Sequence, residues 1–201
     1  MINALAALVA AYLLGAIPFG YLLVKWKTGA DVRAGGSGNI GATNVLRTTG
    51  RAAAVATLLL DIAKGYLAVW LAGRLTSGNV WVTSAAALAV MAGHAFPVFL
   101  RFRGGKAVAS FVGAFLRLTP VPLAALLVVF LVIVAVSRHI SAGSIVGAAM
   151  FPLAVWLILH PERPVLIASS LAGAFIVYRH KENIARLHAG TESVFTFRSR
   201  K

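Results

Sequence analysis

Residues 36–47, GSGNIGATNVLR, interleave glycine with side chains that can donate hydrogen bonds. A glycine-rich backbone can bring several N–H groups close to an anion, because no Cβ atoms keep the anion away. The segment therefore predicts a loop that binds a phosphate or carboxylate, and a flexible polar loop is the alternative. The residues expected to bind the anion are Gly36, Ser37, Gly38, Asn39, Gly41, Thr43, Asn44 and Arg47.

The start of this loop also satisfies the GxGxxG spacing of a dinucleotide-binding fingerprint. That fingerprint requires a strand before the glycines and a helix after them. Here the loop follows a long apolar run of the kind that spans a membrane. The sequence therefore excludes a dinucleotide site and leaves the glycines free to serve another anion.

A second cluster, FRGGK at residues 102–106, places two glycines and a lysine before an apolar run. It lacks the first glycine of a Walker sequence and the hydroxyl residue after the lysine, so ATP hydrolysis is not implied. Gly104, Gly105 and Lys106 are nevertheless suited to an anion at a helix start. The alternative is an ordinary basic flank at the cytoplasmic end of a membrane helix.

Two further clusters lie towards the C-terminus. The tail segment YRHKENIARLHAGTES places Arg179, His180, Asn183 and Arg186 on one predicted helical surface. The segment HISAGS, residues 139–144, begins an apolar run with two hydroxyl residues, Ser141 and Ser144. A tail that contacts lipid headgroups and an ordinary N-cap are the respective alternatives.

The elements that position these clusters are membrane helices. Of 201 residues, 60% are hydrophobic and 12% are charged, with no cysteine, and the mean hydropathy is +0.87. This composition is far from that of a soluble domain, and it excludes disulfides and thiolate sites. The formal net charge of +14 is interpreted as basic residues at cytoplasmic helix ends, so no nucleic-acid partner is expected.

Apolar runs predict an all-α, polytopic protein with about seven transmembrane helices in a single domain, residues 1–201. The fourth run is too short for a bilayer core about 30 Å thick unless it is tilted, recessed or merged with the fifth. We keep it separate because Pro120 and Pro122 interrupt the chain there. The predicted spans are Asn3 to Val24, Ala52 to Gly73, Val80 to Leu100, Ala107 to Leu118, Val121 to Ser137, Ser144 to Leu159 and Pro164 to Tyr178.

The distribution of basic residues predicts the orientation. With the N-terminus outside and the C-terminus in the cytoplasm, the only basic residues in outer segments are Arg74, Arg117 and Arg163, as the positive-inside rule requires. All four polar clusters then lie on the inner face. Donors at that face with apolar helices beneath them would suit a ligand that has a phosphate head and a hydrocarbon tail.

Two charged residues lie inside the second predicted span, where an unpaired charge would cost about 2.5–3.5 kcal/mol. Asp61 and Lys64 are three residues apart, so we expect them to pair with each other. A proton or substrate pathway is the alternative. His94, near an inner helix end, is interpreted as a structural histidine.

Taken together, the motifs resemble the bacterial acyl-phosphate glycerol-3-phosphate acyltransferases, the PlsY family. The resemblance covers nearly the whole chain. Two positions depart from the family pattern: Ala16 stands where serine is usual, and Ala107 stands where a third glycine follows the GGK lysine. The segments that carry it are LLGAIPFGYLLVK, GSGNIGATNVLR, LDIAKG, GHAFPVFLRFRGGKAVAS and RHKENIARLHAGTE.

The resemblance implies transfer of a fatty acyl group from acyl phosphate to the 1-hydroxyl of sn-glycerol 3-phosphate, giving lysophosphatidic acid and inorganic phosphate. It implies the first step of phospholipid synthesis, at the cytoplasmic face of the bacterial inner membrane among membrane lipids, with no metal and no cofactor. It further implies catalytic roles for Ser37, Arg47, Lys106 and His180, and substrate binding by Asn183. Ser141 and Ser144 are implied to donate hydrogen bonds to a substrate phosphate.

An acyl phosphate is already activated, so the protein mainly has to hold two anions together and aim a hydroxyl. We hypothesise that Lys106, Arg47 and His180 bind glycerol 3-phosphate and that Ser37 orients the nucleophile. A covalent Ser37 intermediate is disfavoured because no Ser-His-Asp arrangement is evident. The base is left open between His180 and a substrate phosphate.

The competing functional class is a small transporter of phosphorylated anionic solutes. Such a protein would place its binding groups near the bilayer midplane on broken helices and would show two related halves. Here the donors lie in end loops and no repeat is visible, which favours the enzyme. The sequence determines neither the oligomeric state nor the acyl chain length.

Overall fold

The computed structural model describes residues 1–195, and in this part of the chain every regular element is helical. Two short 3-10 turns, Val32–Ala34 and Val98–Leu100, lie in the loops. The α-helices are α1 (Ile2–Ala16), α2 (Phe19–Thr28), α3 (Ala42–Thr48), α4 (Arg51–Leu75), α5 (Val80–Ala95), α6 (Val108–Leu118), α7 (Pro120–Ser137), α8 (Ile140–Leu159), α9 (Arg163–Arg179) and α10 (Lys181–His188). The predicted all-α class is confirmed.

The described chain divides into two packing units. In the first, Met1–Arg117, α1 packs on α4 and α5, and the short helix α3 packs on α4. In the second, which begins at Leu118, α7 packs on α8, α8 packs on α9, and α10 continues from α9. Each unit carries two of the four polar clusters.

Glycines allow the helices of the first unit to approach closely. A Cβ atom on Gly15 would meet the Val90 carbonyl, and one on Gly93 would meet the Tyr12 carbonyl, so α1 and α5 touch backbone to backbone. Gly65 of α4 meets the Ser110 carbonyl of α6 in the same way. In a bilayer the hydrophobic effect does not drive helices together, so close van der Waals packing, which small residues allow, stabilises their contact.

All seven segments predicted to span the membrane are helical, but two of them are interrupted. The first is broken at Ile17, because Pro18 lacks the N–H that would continue α1. The third ends as an α-helix at Ala95, just before Pro97. At the break the Ile17 carbonyl leaves the helical hydrogen-bond ladder and accepts instead from the Phe19 N–H at 3.2 Å.

Five described segments are long and apolar enough to cross a membrane. Helices α6 and α9, with 11 and 17 residues, fall short of that length. The count of seven spans therefore stays a prediction. The five segments are Ile2–Thr28, Arg51–Leu75, Val80–Leu100, Pro120–Ser137 and Ile140–Leu159.

The expected pairing inside α4 is confirmed. Lys64 Nζ lies 2.8 Å from Asp61 Oδ1, and both side chains are buried.

Candidate active site

Asn44 organises the glycine loop of the first unit. Its side chain is buried, and the two hydrogens of its Nδ2 are shared among the carbonyls of Val32, Gly35 and Asn39, at 3.0, 3.1 and 2.8 Å. Its Oδ1 accepts a hydrogen bond from the Ser37 N–H at 2.7 Å. The sequence predicted that Asn44 binds substrate, and the structure shows that its amide holds the loop together from inside.

Gly36 makes this arrangement possible. Its φ of +60° is in the left-handed region, and a Cβ atom there would overlap Asn44 Oδ1. An alanine at this position would therefore meet both backbone strain and a steric clash. The chain therefore requires glycine at position 36, because it bends closely around the Asn44 side chain there.

The glycine loop and helix α3, which follows it, leave several donors for a ligand; Thr43, Asn44 and Arg47, predicted to lie in the loop, belong to α3. The side chains of Ser37 and Arg47 are exposed, and Thr43 is half-buried. The N–H groups of Gly36, Asn39 and Ile40 donate to no other described residue. In contrast, the N–H of Gly41 donates to Asn39 Oδ1 at 2.9 Å, and that of Gly38 donates to the Gly35 carbonyl at 3.1 Å.

The second loop of this unit is held against the end of α5. The Gly104 N–H donates to the Ala95 carbonyl at 3.2 Å, and the Gly105 N–H donates to the His94 carbonyl at 3.0 Å. These two N–H groups are therefore used within the protein. What the glycines contribute here is the close approach of the chain to α5, which sets the position of the half-buried Lys106.

Three residues around this loop have left-handed backbone without being glycine. Arg101, Phe102 and Ala107 have φ values of +53°, +61° and +63°. Ala107 is the position at which the family pattern has glycine, and its side chain is buried. Left-handed backbone costs a residue with a Cβ roughly 1–2 kcal/mol, so this loop is strained at the residue that departs from the pattern.

Glu192 organises the polar cluster of the second unit. Its Oε1 accepts hydrogen bonds from Ser141 Oγ at 2.9 Å and from Asn183 Nδ2 at 2.7 Å. Its Oε2 accepts from Arg186 Nε at 2.7 Å. One carboxylate therefore joins α8, α10 and the segment that follows α10.

The charge state of Glu192 follows from these contacts. Burial raises the pKa of Glu192, but the hydrogen bonds from Arg186, Asn183 and Ser141 outweigh burial and hold that pKa below its usual range. Glu192 is therefore ionised at neutral pH. It neutralises part of the basic tail and fixes the Asn183 amide.

His180 lies at the junction of α9 and α10, with 3% of its surface exposed. Its Nδ1 lies 2.7 Å from the Ile176 carbonyl. Because a carbonyl can only accept, Nδ1 carries the proton in this contact, and Nε2 of the neutral ring is the nitrogen that can accept one.

The two serines of α8 differ in their partners. Ser141 Oγ donates to Glu192, whereas Ser144 Oγ donates to the Ile140 carbonyl of its own helix at 3.0 Å. Helix α8 begins at Ile140, so Ser144 lies inside it and not at its start. A hydroxyl can still accept, or rotate towards a ligand.

Glu192 is not among the site residues that were predicted from the sequence. The chain has only five acidic residues against 19 basic ones, and two of the five, Glu182 and Glu192, lie in the basic tail segment. That contrast was the available signal. It could not reveal which donors Glu192 meets, since Ser141 lies 51 positions away.

The structure therefore groups the predicted residues in two sets, one in each packing unit. Among residues 1–195, no group of three potential metal ligands is close enough to hold an ion. The second set is Ser141, Ser144, His180 and Asn183. The first set is Gly36, Ser37, Gly38, Asn39, Gly41, Thr43, Asn44, Arg47, Gly104, Gly105 and Lys106.

Comparison with known proteins identifies the family. The sequence pattern of the family described as glycerol-3-phosphate acyltransferase matches residues 5–190. A glycerol-3-phosphate acyltransferase of Desulforamulus reducens is 47% identical over 192 residues, covering 95% of this chain and 94% of that protein. One from Geobacter sulfurreducens is 46% identical, covering 97% and 99%.

Two solved structures share the fold. The crystal structure of PlsY, an integral membrane glycerol 3-phosphate acyltransferase, in its glycerol 3-phosphate form has a TM-score of 0.90 and 38% identity. The form with lysophosphatidic acid has a TM-score of 0.87 and 37% identity, and each comparison covers 96% of both chains. The chain therefore belongs to the glycerol-3-phosphate acyltransferase family, the PlsY proteins.

Proposed function

We propose that this protein transfers a fatty acyl group from acyl phosphate to the 1-hydroxyl of sn-glycerol 3-phosphate. The observation that carries the proposal is the near full-length match to glycerol-3-phosphate acyltransferases, at 47% identity over 95% of the chain. The related structures in glycerol 3-phosphate and lysophosphatidic acid forms correspond to the acyl acceptor and the product. In this proposal the enzyme carries out the first step of phospholipid synthesis.

The reaction needs no external activation of the acyl group. The acceptor hydroxyl oxygen attacks the acyl carbon, the bond from that carbon to the phosphate oxygen breaks, and inorganic phosphate leaves. The hydroxyl proton passes to His180 Nε2 or to a substrate phosphate. The main energetic cost is the repulsion between the phosphates of the two substrates, and fixed cations and hydrogen-bond donors lower that cost.

The proposed roles follow from the side chains. Lys106, Arg47 and His180 bind the phosphate of glycerol 3-phosphate, while Ser37 orients the nucleophile. The exposure of Ser37 and Arg47 supports this assignment, because both can reach a ligand.

The acyl phosphate is assigned to the remaining donors. The N–H groups of the glycine loop that have no described partner are suited to its phosphate, together with Ser141 and Ser144. Asn183, oriented by Glu192, contributes an amide to substrate binding.

For the whole chain we propose a single acyltransferase domain in the bacterial cytoplasmic membrane. It crosses the bilayer seven times, with the N-terminus outside and the C-terminus and active site on the cytoplasmic side. The placement of basic residues supports this orientation.

The purified protein, supplied with palmitoyl phosphate and glycerol 3-phosphate, should yield lysophosphatidic acid and inorganic phosphate in equal amounts without added metal. Palmitoyl coenzyme A should not replace the acyl phosphate, because the donor's own phosphate is expected to dock in the glycine loop. Equal or faster turnover with the thioester would overturn the donor assignment. Uptake of glycerol 3-phosphate by sealed vesicles without acyl transfer would instead support a transporter.

A further inference from the structure

A chain of buried polar side chains runs beneath the second loop. Asp61 Oδ1 of α4 lies 2.8 Å from Lys64 Nζ and 3.7 Å from His94 Nδ1 of α5. Ser110 Oγ of α6 is hydrogen bonded to the same His94 nitrogen at 3.2 Å. All four residues are at most 3% exposed. Burying four polar groups is costly unless each is well placed, so the arrangement calls for an explanation.

At one end the chain holds the break between α1 and α2. Lys64 Nζ donates to the Ile17 carbonyl at 2.8 Å and lies 5.7 Å from the centre of the Phe19 ring. The same carbonyl accepts from the Phe19 N–H at 3.2 Å, so Lys64 supplies a second donor at the point where the helix is interrupted.

At the other end the chain supports the loop that carries Lys106. The Gly105 N–H donates to the His94 carbonyl at 3.0 Å, and a Cβ atom on Gly105 would overlap the His94 imidazole. The ring is therefore packed directly under the Gly105 backbone, one residue before Lys106. A change in the position of this ring must move the loop or open a gap beneath it.

We propose that His94 is a positioning residue: its ring is hydrogen bonded to Ser110 with the Asp61 carboxylate nearby, and through Gly105 it sets the position of Lys106. The inference rests on the proposed function, in which Lys106 binds the phosphate of glycerol 3-phosphate. His94 has no direct part in the chemistry, since its side chain is buried beneath the loop. Its effect is therefore on the binding of glycerol 3-phosphate.

The first test compares two substitutions of this histidine. His94→Phe keeps a ring under Gly105 but removes the nitrogen held by Ser110, whereas His94→Gln keeps a group that can hydrogen bond there. We expect His94→Phe to raise the KM for glycerol 3-phosphate about tenfold, the loss expected when one charge-assisted hydrogen bond is weakened. The kcat and the KM for acyl phosphate should change less than about threefold. His94→Gln should recover most of the affinity.

Ser84→Ala is the matched control. Ser84 is buried in the same helix, and its Oγ has no hydrogen-bond partner among the described residues, so its removal should leave both KM values unchanged. If His94→Phe fails to fold, Ser110→Ala removes the partner of the ring and keeps the ring itself. It should raise the same KM by a smaller factor. An unchanged KM in both variants would overturn the proposal.

The contact with Gly105 is tested by a double variant. Gly105→Ala alone should weaken glycerol 3-phosphate binding, because the new methyl group displaces the loop from the ring. In His94→Ala/Gly105→Ala the methyl group has room, so binding should be tighter than in Gly105→Ala alone. If the effects of His94→Ala and Gly105→Ala on the dissociation constant simply multiply in the double variant, the contact does not transmit position to the loop.

Direct calorimetric binding of glycerol 3-phosphate separates this inference from the proposed function. If the wild type neither binds nor acylates glycerol 3-phosphate, the proposed function fails. If the wild type does both and His94→Phe binds equally well, only the positioning role fails.

Discussion

Arg47 and Lys106 are the two cations of the first unit to which we assign substrate phosphate. Arg47→Ala or Lys106→Ala should lower kcat/KM by about 10- to 150-fold, because each removes a charged hydrogen bond worth about 1.5–3 kcal/mol. Steady-state kinetics with glycerol 3-phosphate varied would measure the loss. The exposed basic residues Lys27 and Arg103 provide controls, and their alanine variants should behave as wild type. Normal turnover and affinity in the Arg47 and Lys106 variants would refute the assignment.

Ala107 allows a test of backbone strain at a single residue. Because its φ is +63°, Ala107→Gly should stabilise the protein by about 1 kcal/mol, the strain relieved minus the entropy that glycine adds to the unfolded chain. Thermal unfolding in detergent would measure the shift. Ala114→Gly, within α6, should act in the opposite direction, since glycine weakens a helix interior. A lower melting temperature for Ala107→Gly would show that Ala107 is not strained.

At the scale of helices, we expect the loss of one partner of the Asp61–Lys64 pair in α4 to destabilise the protein more than the loss of both. Lys64→Met leaves the Asp61 carboxylate buried without its partner, and the expected loss of stability is about 3–5 kcal/mol. The double variant Asp61→Leu/Lys64→Met buries no charge and should lose less. Unfolding of the two variants under the same conditions tests this order. Equal losses would mean that the Coulombic pairing contributes little.

Glu192 connects α8, α10 and the tail in a pH-dependent way. Its pKa is lowered in the folded protein, so its stabilisation is complete above the ordinary glutamate pKa of about 4.3. The contribution is lost as the pH falls through the lower folded pKa, because the unfolded chain binds the proton more readily. Glu192→Gln should therefore be less stable than wild type at pH 7, with a smaller difference under acid. An undiminished difference at low pH would contradict this linkage.

At the scale of the molecule, the orientation can be tested with single cysteines, because the chain has none. Ser37 and Ser193 are exposed and predicted to face the cytoplasm, whereas the exposed Ser77 lies in a predicted outer loop. In intact cells an impermeant thiol reagent should label Ser77→Cys but neither Ser37→Cys nor Ser193→Cys. All three should be labelled after permeabilisation. Labelling of Ser37→Cys from outside would overturn the orientation and the cytoplasmic site.

The long apolar helices could be placed from the sequence, whereas the short helix α3 lies in a segment that the sequence predicted to be a loop. Apolar runs are long in a chain whose backbone must satisfy its own hydrogen bonds in lipid, so hydropathy and proline positions suffice to place helices. The break at Ile17 was missed although Pro18 was visible, because proline within an apolar run can either kink a membrane helix or end it. At the break Lys64 contacts Ile17 from 47 positions away, a contact that no local pattern shows.

The candidate residues were also visible in the sequence, since glycines, hydroxyls and cations cluster in loops that an apolar chain otherwise lacks. Which of them hold the loops and which remain open to a ligand could not be predicted. Asn44 and Ser37 are equally polar in the sequence, but the amide of Asn44 is turned inwards to three carbonyls while the Ser37 side chain is exposed. Whether a polar side chain points into the loop or towards a ligand depends on the path of the loop.

The sequence by itself determined that this is a helical membrane protein of the PlsY family, because hydropathy, basic flanks and short glycine motifs are local properties. Only the tertiary structure decided that Glu192 gathers Ser141, Asn183 and Arg186, and that His94 lies under Gly105. These contacts join residues on different elements. Their partners are selected by how helices and loops pack, a three-dimensional fit that no local pattern of residues encodes.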